Sequence, residues 1–250
     1  MFFEKCVRIY NSINKIEDKK RMAKKTRNTS KKAWIVRIAA IILLIIGLGM
    51  IFNSQIRDFM VRQNQTTALK NLNKDTVKKN QAKKGMFDFS KVEEIDFGKV
   101  TKSRVNNTAD AIGAIAIPSV KMYLPIMKGL SNDAMSTGGG TMRPDQVMGK
   151  GNYPLAGHYM TAKGVLFSPL EDTKLAEKVY LTNLDKIYIY RIYMKKVVDP
   201  TAVWLVDNTK QNIVTLITCA DGGVNRWAIR GKLIAEKPAT DKNLQVFKLK

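Results

Sequence analysis

Residues 213–235 read IVTLITCADGGVNRWAIRGKLIA. A β-branched apolar run (213–219) ends in a cysteine, the polar turn ADGGVN follows, and Arg226 opens a second apolar run (226–235). Val, Ile and Thr suit a pleated, half-buried surface, and Gly, Asp and Asn suit a turn. The stretch therefore predicts two strands, with Cys219 at the end of the first and Arg226 at the start of the second. Stretches of the same texture precede it: IGAIAI (112–117), KMYLPIM (121–127), NYPLAGHYM (152–160), KVYLTNL (178–184), KIYIYRIYMKKVV (186–198) and AVWLV (202–206). Many short strands with Gly, Pro and Asn between them predict a mostly β barrel or sandwich. Two interruptions read as helical, SNDAMSTG (131–138) with Ser131 as its cap and SPLEDTKLA (168–176). FDFSKVEEIDF (87–97) reads as a short helix packed on the domain.

The N-terminal part is of another kind. Residues 34–52, WIVRIAAIILLIIGLGMIF, carry one charge, Arg37, near one end. About 20 apolar residues cross the hydrocarbon core as a helix, and Arg37 can snorkel to the headgroups. A transmembrane helix is predicted; its length disfavours the alternative of a buried core helix. Residues 17–32 hold eight Lys/Arg and residues 53–70 hold three. This asymmetry predicts a single pass through the plasma membrane with a cytoplasmic N-terminus and an extracellular C-terminal part. No small-residue cleavage site stands out, which favours an uncleaved signal anchor. The basic flank can lie on anionic lipid. Residues 1–21 read either as an amphipathic piece on the inner membrane surface or as an extension upstream of a true start at Met22. The intact mass of the native protein distinguishes these. The predicted organisation is a cytoplasmic basic segment (1–33), an anchor (34–52), a solvated polar stalk, helical in part and rich in Asn, Gln and Lys (53–85), and an extracellular domain (86–250). The polar C-terminal residues 231–250 are not a second span.

The chain has 250 residues and a formal net charge of +22. Such charge implies a polyanionic neighbour: nucleic acid, an anionic membrane or another polyanion. There is no zinc-type Cys/His cluster and no RNA-binding signature, so nucleic acid is not expected as a partner. The two cysteines, Cys6 and Cys219, fall on opposite sides of the predicted membrane and cannot pair. His158 is the only histidine, which excludes a multi-His metal site within one chain.

An unpaired cysteine outside the membrane invites a chemical reading. Cys219 stands at a strand end beside a turn, where sites tend to be built. His158, in LAGHYM, also stands near a strand end. A cysteine nucleophile needs a proton-transfer group and an oxyanion donor. A histidine such as His158 can serve as acid or base near neutral pH, and Arg226 donates hydrogen bonds while keeping its charge. The three make a chemically complete set for acyl transfer. Against this stand a small buried thiol, a structural histidine and a surface arginine, because spacing alone does not bring the three together. Arg230, four residues on and on the same strand face, rivals Arg226.

TLITC (215–219), LAGH (155–158) and RWAIRG (226–231), in that order, together with the lead-in GTMRPDQVMGKGNYPLAGHYM, resemble a class A sortase of Gram-positive bacteria. The resemblance covers roughly residues 87–235, and the anchor-and-stalk layout agrees with it. It implies a closed eight-stranded sortase β-barrel with short helices. It also implies a cysteine transpeptidase: Cys219 attacks the Thr–Gly bond of an LPxTG sorting signal, and an amine of a lipid-linked peptidoglycan precursor releases the thioacyl enzyme. His158 matches the proton-transfer histidine. Arg226 matches the arginine that binds substrate and stabilises the oxyanion; it opens the R-x-x-x-x-G pattern, which favours it over Arg230. PTAVWLVD (200–207) matches the segment before the catalytic strand. Val203, Leu205 and Val206, with Ala156 and Ile217, would line an apolar pocket for the signal's Leu and Pro. Thr218 would contact substrate or help the oxyanion. Core packing is the alternative for these residues. No cofactor is implied. The chain itself lacks an LPxTG-like sorting motif. Calcium binding by acids shortly before the histidine, a feature of some members, is not expected, because the stretch around Arg143, Asp145 and Lys150 holds one acid and a hard cation wants several oxygen ligands.

Three other readings are weighed. A pilus-type sortase would usually carry a C-terminal span and a lid before the barrel, and neither is evident. A papain-type hydrolase would place its cysteine before its histidine. A membrane-anchored binding module with an inert thiol would survive Cys219→Ala.

Overall fold

The computed structural model of the protein describes residues 2–88 and 111–249, with side chains from residue 33 onward and at 14–22. Most of the helix expected over 87–97 lies outside the described residues. The chain divides into two units, one up to residue 53 and one from Ser54 onward.

The first unit is one helix, α1 (Phe2–Ile51). Within it, Ala33–Ile51 is a 19-residue stretch of mean hydropathy 2.6, none of it buried. A soluble helix hides one face; here Ile41, Leu43, Leu44, Ile45 and Ile46 are all exposed, so the apolar surface runs around the helix. It is long and apolar enough to cross a membrane.

The second unit is built on eight strands: β1 (Ala111–Ile117), β2 (Met122–Met127), β3 (Gly139–Thr141), β4 (Asn152–Ala156), β5 (Lys178–Thr182), β6 (Lys186–Val198), β7 (Ile213–Ala220) and β8 (Asn225–Pro238). They close into a barrel in the order β1-β2-β3-β4-β7-β8-β6-β5. The β2–β3 and β4–β7 pairs are parallel and the others antiparallel. Period-two alternation sends Ile115, Leu124, Leu155, Leu181, Tyr190, Leu216 and Ile229 into one core. β6 and β8 are the long strands, 13 and 14 residues, and their pairing shifts at Ile189/Tyr190 and Ile192/Met194. Such irregularities bend a sheet and help it close.

Six of the eight expected strands lie close to the observed ones; NYPLAGHYM is shorter, its strand ending at Ala156. AVWLV is not a strand. Asp199 Oδ1 accepts from the Thr201 amide at 2.8 Å, and Val203–Leu205 then turns as a 3₁₀ segment. The strand absent from the sequence reading, β3, is Gly-Gly-Thr, without side chains that would announce it. Ser131 caps the short helix Asn132–Met135, accepting from the Ala134 amide.

The stalk expected over 53–85 needs correction. Helices α2 (Asn53–Lys70) and α3 (Lys74–Ala82) are joined to the barrel. Val61, Gln65, Ala68 and Leu69 are buried at helical spacing. Val61 packs with Met160, Val165 and Leu166, while Leu69 covers Ala114 and Ala116 on the outer face of β1 with Phe247. The buried Asn80 amide donates to the Ala111 carbonyl at 3.0 Å. The stripe reads as solvent-facing in the sequence because one of its four members is Gln and another Ala.

Candidate active site

The parallel pair β4–β7 sets the site. Ala156 lies opposite Ile217, and one residue further the Gly157 amide donates to the Ile217 carbonyl at 3.1 Å. Thr218 Oγ1 donates back to the Gly157 carbonyl at 2.7 Å. The chain leaves the sheet there, so His158 emerges beside the end of β7, where Cys219 stands. Both are half-buried, and both line one open cleft of about 560 Å³. Gly157 is required by a close approach: a Cβ would stand 2.4 Å from the ring of the buried Phe167. The Phe167 amide in turn donates to the His158 carbonyl at 3.0 Å. The LAGH motif thus combines a small-residue approach with a pinned His158 main chain.

Arg226 is the direct cross-strand partner of Cys219 on β8, and paired residues present their side chains on one face. Its guanidinium donates to the carbonyls of Gly223 (2.7 Å) and Asn225 (2.9 Å). The turn that makes this possible needs three consecutive left-handed residues, Asp221, Gly222 and Gly223 (φ 51°, 67° and 97°). Asp and Gly tolerate that region best, which explains ADGG. Arg230 is used elsewhere. It pairs with Thr215, donates to Thr215 Oγ1 and to the Trp204 and Leu205 carbonyls (3.2 Å each), and stacks 4.6 Å from the Trp204 ring centroid.

On the outer face beside Cys219, Leu205, Ile217 and Ala228 pack together with Val206, Val198, Met142 and Met194 at their edge. Ala156 packs with Leu130 and Met135, and Met142 is shared by the two groups. Of the residues expected to line a groove, the structure gathers Ala156, Leu205, Val206 and Ile217 and leaves two apart. Val203 is 75 % exposed and outside the cluster. Thr218 is buried with its hydroxyl on Gly157, so alternation along β7 turns it to the opposite face from Cys219.

The wall formed by residues 203–208 is pinned by side chains the sequence reading did not single out. The buried Asn152 amide donates to the Leu205 and Asp207 carbonyls (2.8 Å each), and its oxygen accepts from Thr215 Oγ1 (2.7 Å). Arg143 reaches the Val206 carbonyl at 3.2 Å. Asp145 grips the Arg143 guanidinium through both oxygens (2.9 and 2.8 Å), which holds its carboxyl below the ordinary value of 3.8. The single acid before His158 is thus engaged by an arginine. Among the described residues no three His, Cys, Asp or Glu side chains gather as a metal site.

The cleft side of Cys219 is polar. The Tyr159 hydroxyl donates to Glu171 Oε2 at 2.6 Å, and that contact pushes the phenol upward so that it stays a donor. Trp227 lines the same cleft with Lys195 4.8 Å above its ring. Tyr159 follows His158 in LAGHYM but has no role in the sequence reading, and Glu171 falls in no motif.

A half-buried thiol at a strand end, an imidazole in the same cleft and an arginine paired across the strands with the cysteine supply the groups that a cysteine acyl transfer needs, on a closed barrel. The sortase-domain family model matches residues 115–234. Sortase A of Listeria monocytogenes is 42 % identical over 182 residues, covering 72 % of this chain and 82 % of that protein. Sortase A of Streptococcus agalactiae is 38 % identical over 192 residues, covering 74 % and 78 %. A crystal structure of Listeria monocytogenes sortase A is 41 % identical, with a TM-score of 0.53 over 55 % of this chain and 97 % of that one. The chain belongs to the sortase family, as a class A member. It is a cysteine transpeptidase of the kind that anchors LPxTG-bearing proteins to the cell wall.

Proposed function

We propose that Cys219, His158 and Arg226 perform this transfer as follows. The Cys219 thiolate attacks the Thr carbonyl of an LPxTG signal seated on Leu205, Ile217, Val206 and Ala156. Arg226, held rigid by two main-chain carbonyls, stabilises the oxyanion. His158 protonates the departing Gly amine, and the C–N bond gives way to a thioester. An amine of a lipid-linked peptidoglycan precursor then attacks, and the sulfur leaves. The observation that carries this reading is the direct cross-strand pairing of Cys219 with Arg226 at the mouth of the cleft lined by His158.

Residues 34–52 anchor the enzyme in the plasma membrane, with residues 1–33 cytoplasmic and the barrel on the cell-wall side. The length and hydropathy of Ala33–Ile51 and the basic run before it support this topology.

The test is incubation of the full chain, in detergent, with an LPxTG peptide, with and without a glycine-type amine, read by mass. Cleavage after Thr, a peptide-sized adduct on Cys219, capture by the amine, and loss of all three in Cys219→Ala are expected. Unchanged peptide with a folded wild-type protein would contradict the reading.

A further inference from the structure

The transfer reaction has two substrates, and the apolar groove accounts for one. No side chain of the Leu205–Ile217–Ala228 cluster lines the polar cleft, so Cys219 stands between two separate surfaces. The second substrate is an amine, an ammonium ion near neutral pH. It must reach the thioester from a side that the acyl chain does not occupy.

The polar cleft has the chemistry for it. Glu171 lines the cleft, with one carboxylate oxygen fixed by the Tyr159 hydroxyl. Its Oε1 has no hydrogen-bond partner among the described residues. The neighbouring cations are used elsewhere: Lys195 donates to the main-chain carbonyls of Glu171 and Thr173, and Arg57 is paired with Asp58 at 3.4 Å. Asp221, the other carboxylate of the cleft, accepts from the Asn225 amide within the β7–β8 turn.

Resting on the acyl-transfer reading above, we propose that Glu171, oriented by Tyr159, binds the ammonium group of the acceptor amine beside the Cys219 thioester. The bound ammonium releases one proton to solvent. Its nitrogen lone pair forms the new C–N bond, and the C–S pair returns to Cys219. The second nitrogen proton passes to His158, restoring thiolate and imidazolium. Glu171 is a binding and positioning residue for the acceptor and takes no part in forming the thioester.

The experiment uses the full chain in detergent with an LPxTG peptide. It compares triglycine, an ammonium near neutral pH, with hydroxylamine, which is largely uncharged there. The measured quantity is the ratio of transfer to hydrolysis at sub-saturating nucleophile, which cancels changes in thioester formation. Glu171→Gln is expected to lower this ratio about three- to tenfold for triglycine, the size of a partly exposed charged contact, and to leave the hydroxylamine ratio within twofold. Tyr159→Phe, which keeps the ring, is expected to shift the triglycine ratio in the same direction by less. An unchanged triglycine ratio in Glu171→Gln overturns the proposal, as does an equal fall for both nucleophiles. Failure of the wild type to form any thioester overturns the acyl-transfer reading itself, and the acceptor site with it.

Discussion

Cys219 and Arg226 face each other across β7 and β8 as direct partners, while Arg230 pairs with Thr215 and is clasped to the wall of the groove. Two arginines on one strand face therefore have different surroundings, and on the proposed mechanism different roles. Arg226→Lys keeps the charge but loses the planar guanidinium, whose one terminal nitrogen holds two carbonyls while its other N–H donors stay available. We expect kcat to fall about a hundredfold or more, as for the loss of an oxyanion donor, with little change in peptide KM. Arg230→Lys should instead raise peptide KM. Steady-state kinetics on both variants check this, and identical kinetic profiles would refute the division of roles.

Gly157→Ala places a methyl group 2.4 Å from the Phe167 ring. The ring is fully buried and cannot swing into solvent. Overpacking of this kind costs about 1–3 kcal/mol. Because Phe167 also holds the His158 carbonyl, activity should fall further than the lost folded fraction explains. Thermal unfolding and activity of the purified variant, measured together, separate the two effects.

Asn152→Ala removes the donor to the Asp207 carbonyl, one of the two donors to the Leu205 carbonyl and the acceptor of the Thr215 hydroxyl proton, while Arg230 still reaches Leu205 and Thr215. An unsatisfied buried polar group costs about 1–3 kcal/mol. Denaturant titration should register a loss of that order, and peptide KM should rise as the wall loosens. A variant with wild-type KM would show that the wall needs no such pin.

Leu205 is 2 % exposed within the groove cluster and Val203 75 % exposed outside it. Leu205→Ala is expected to cost about 2–5 kcal/mol of stability and to raise peptide KM. Val203→Ala should leave KM within about twofold, in line with the small effects of exposed substitutions. An equal rise in both would place Val203 in the groove after all.

The Arg143–Asp145 pair gives a pH dependence with a definite sign. The folded carboxyl lies below its ordinary value of 3.8. Its contribution is therefore fully present above that value and is lost as pH falls through the lowered folded value. Denaturant unfolding followed as pH is lowered should show a small loss of stability below pH ~4 that Asp145→Asn lacks; identical acid dependence in the two proteins would refute it.

Much was legible in the sequence because it is local. The period-two runs at 112–117, 186–198 and 213–219 alternate with turn residues, and strand formation follows from that pattern. The 19-residue apolar run needs no partner to be recognised. Cys219, His158 and Arg226 stood out because the chain has so few alternatives and because their motifs run in order. Tertiary structure decided what depends on residues distant in the chain. The closure of the barrel through the parallel β4–β7 pair brings His158 beside Cys219, 61 positions apart. Packing docked the partly helical 53–85 segment on the barrel unit, since a single face of Val61, Gln65, Ala68 and Leu69 suffices once a partner surface exists. Alternation along β7 sent Thr218 inward while its neighbour Cys219 stayed at the cleft, and register alone set Arg226 beside Cys219 and Arg230 beside Thr215. Sequence fixes which groups are available and which local shapes they prefer. Only packing fixes which of them meet, because contact depends on register and closure, and no single segment encodes either.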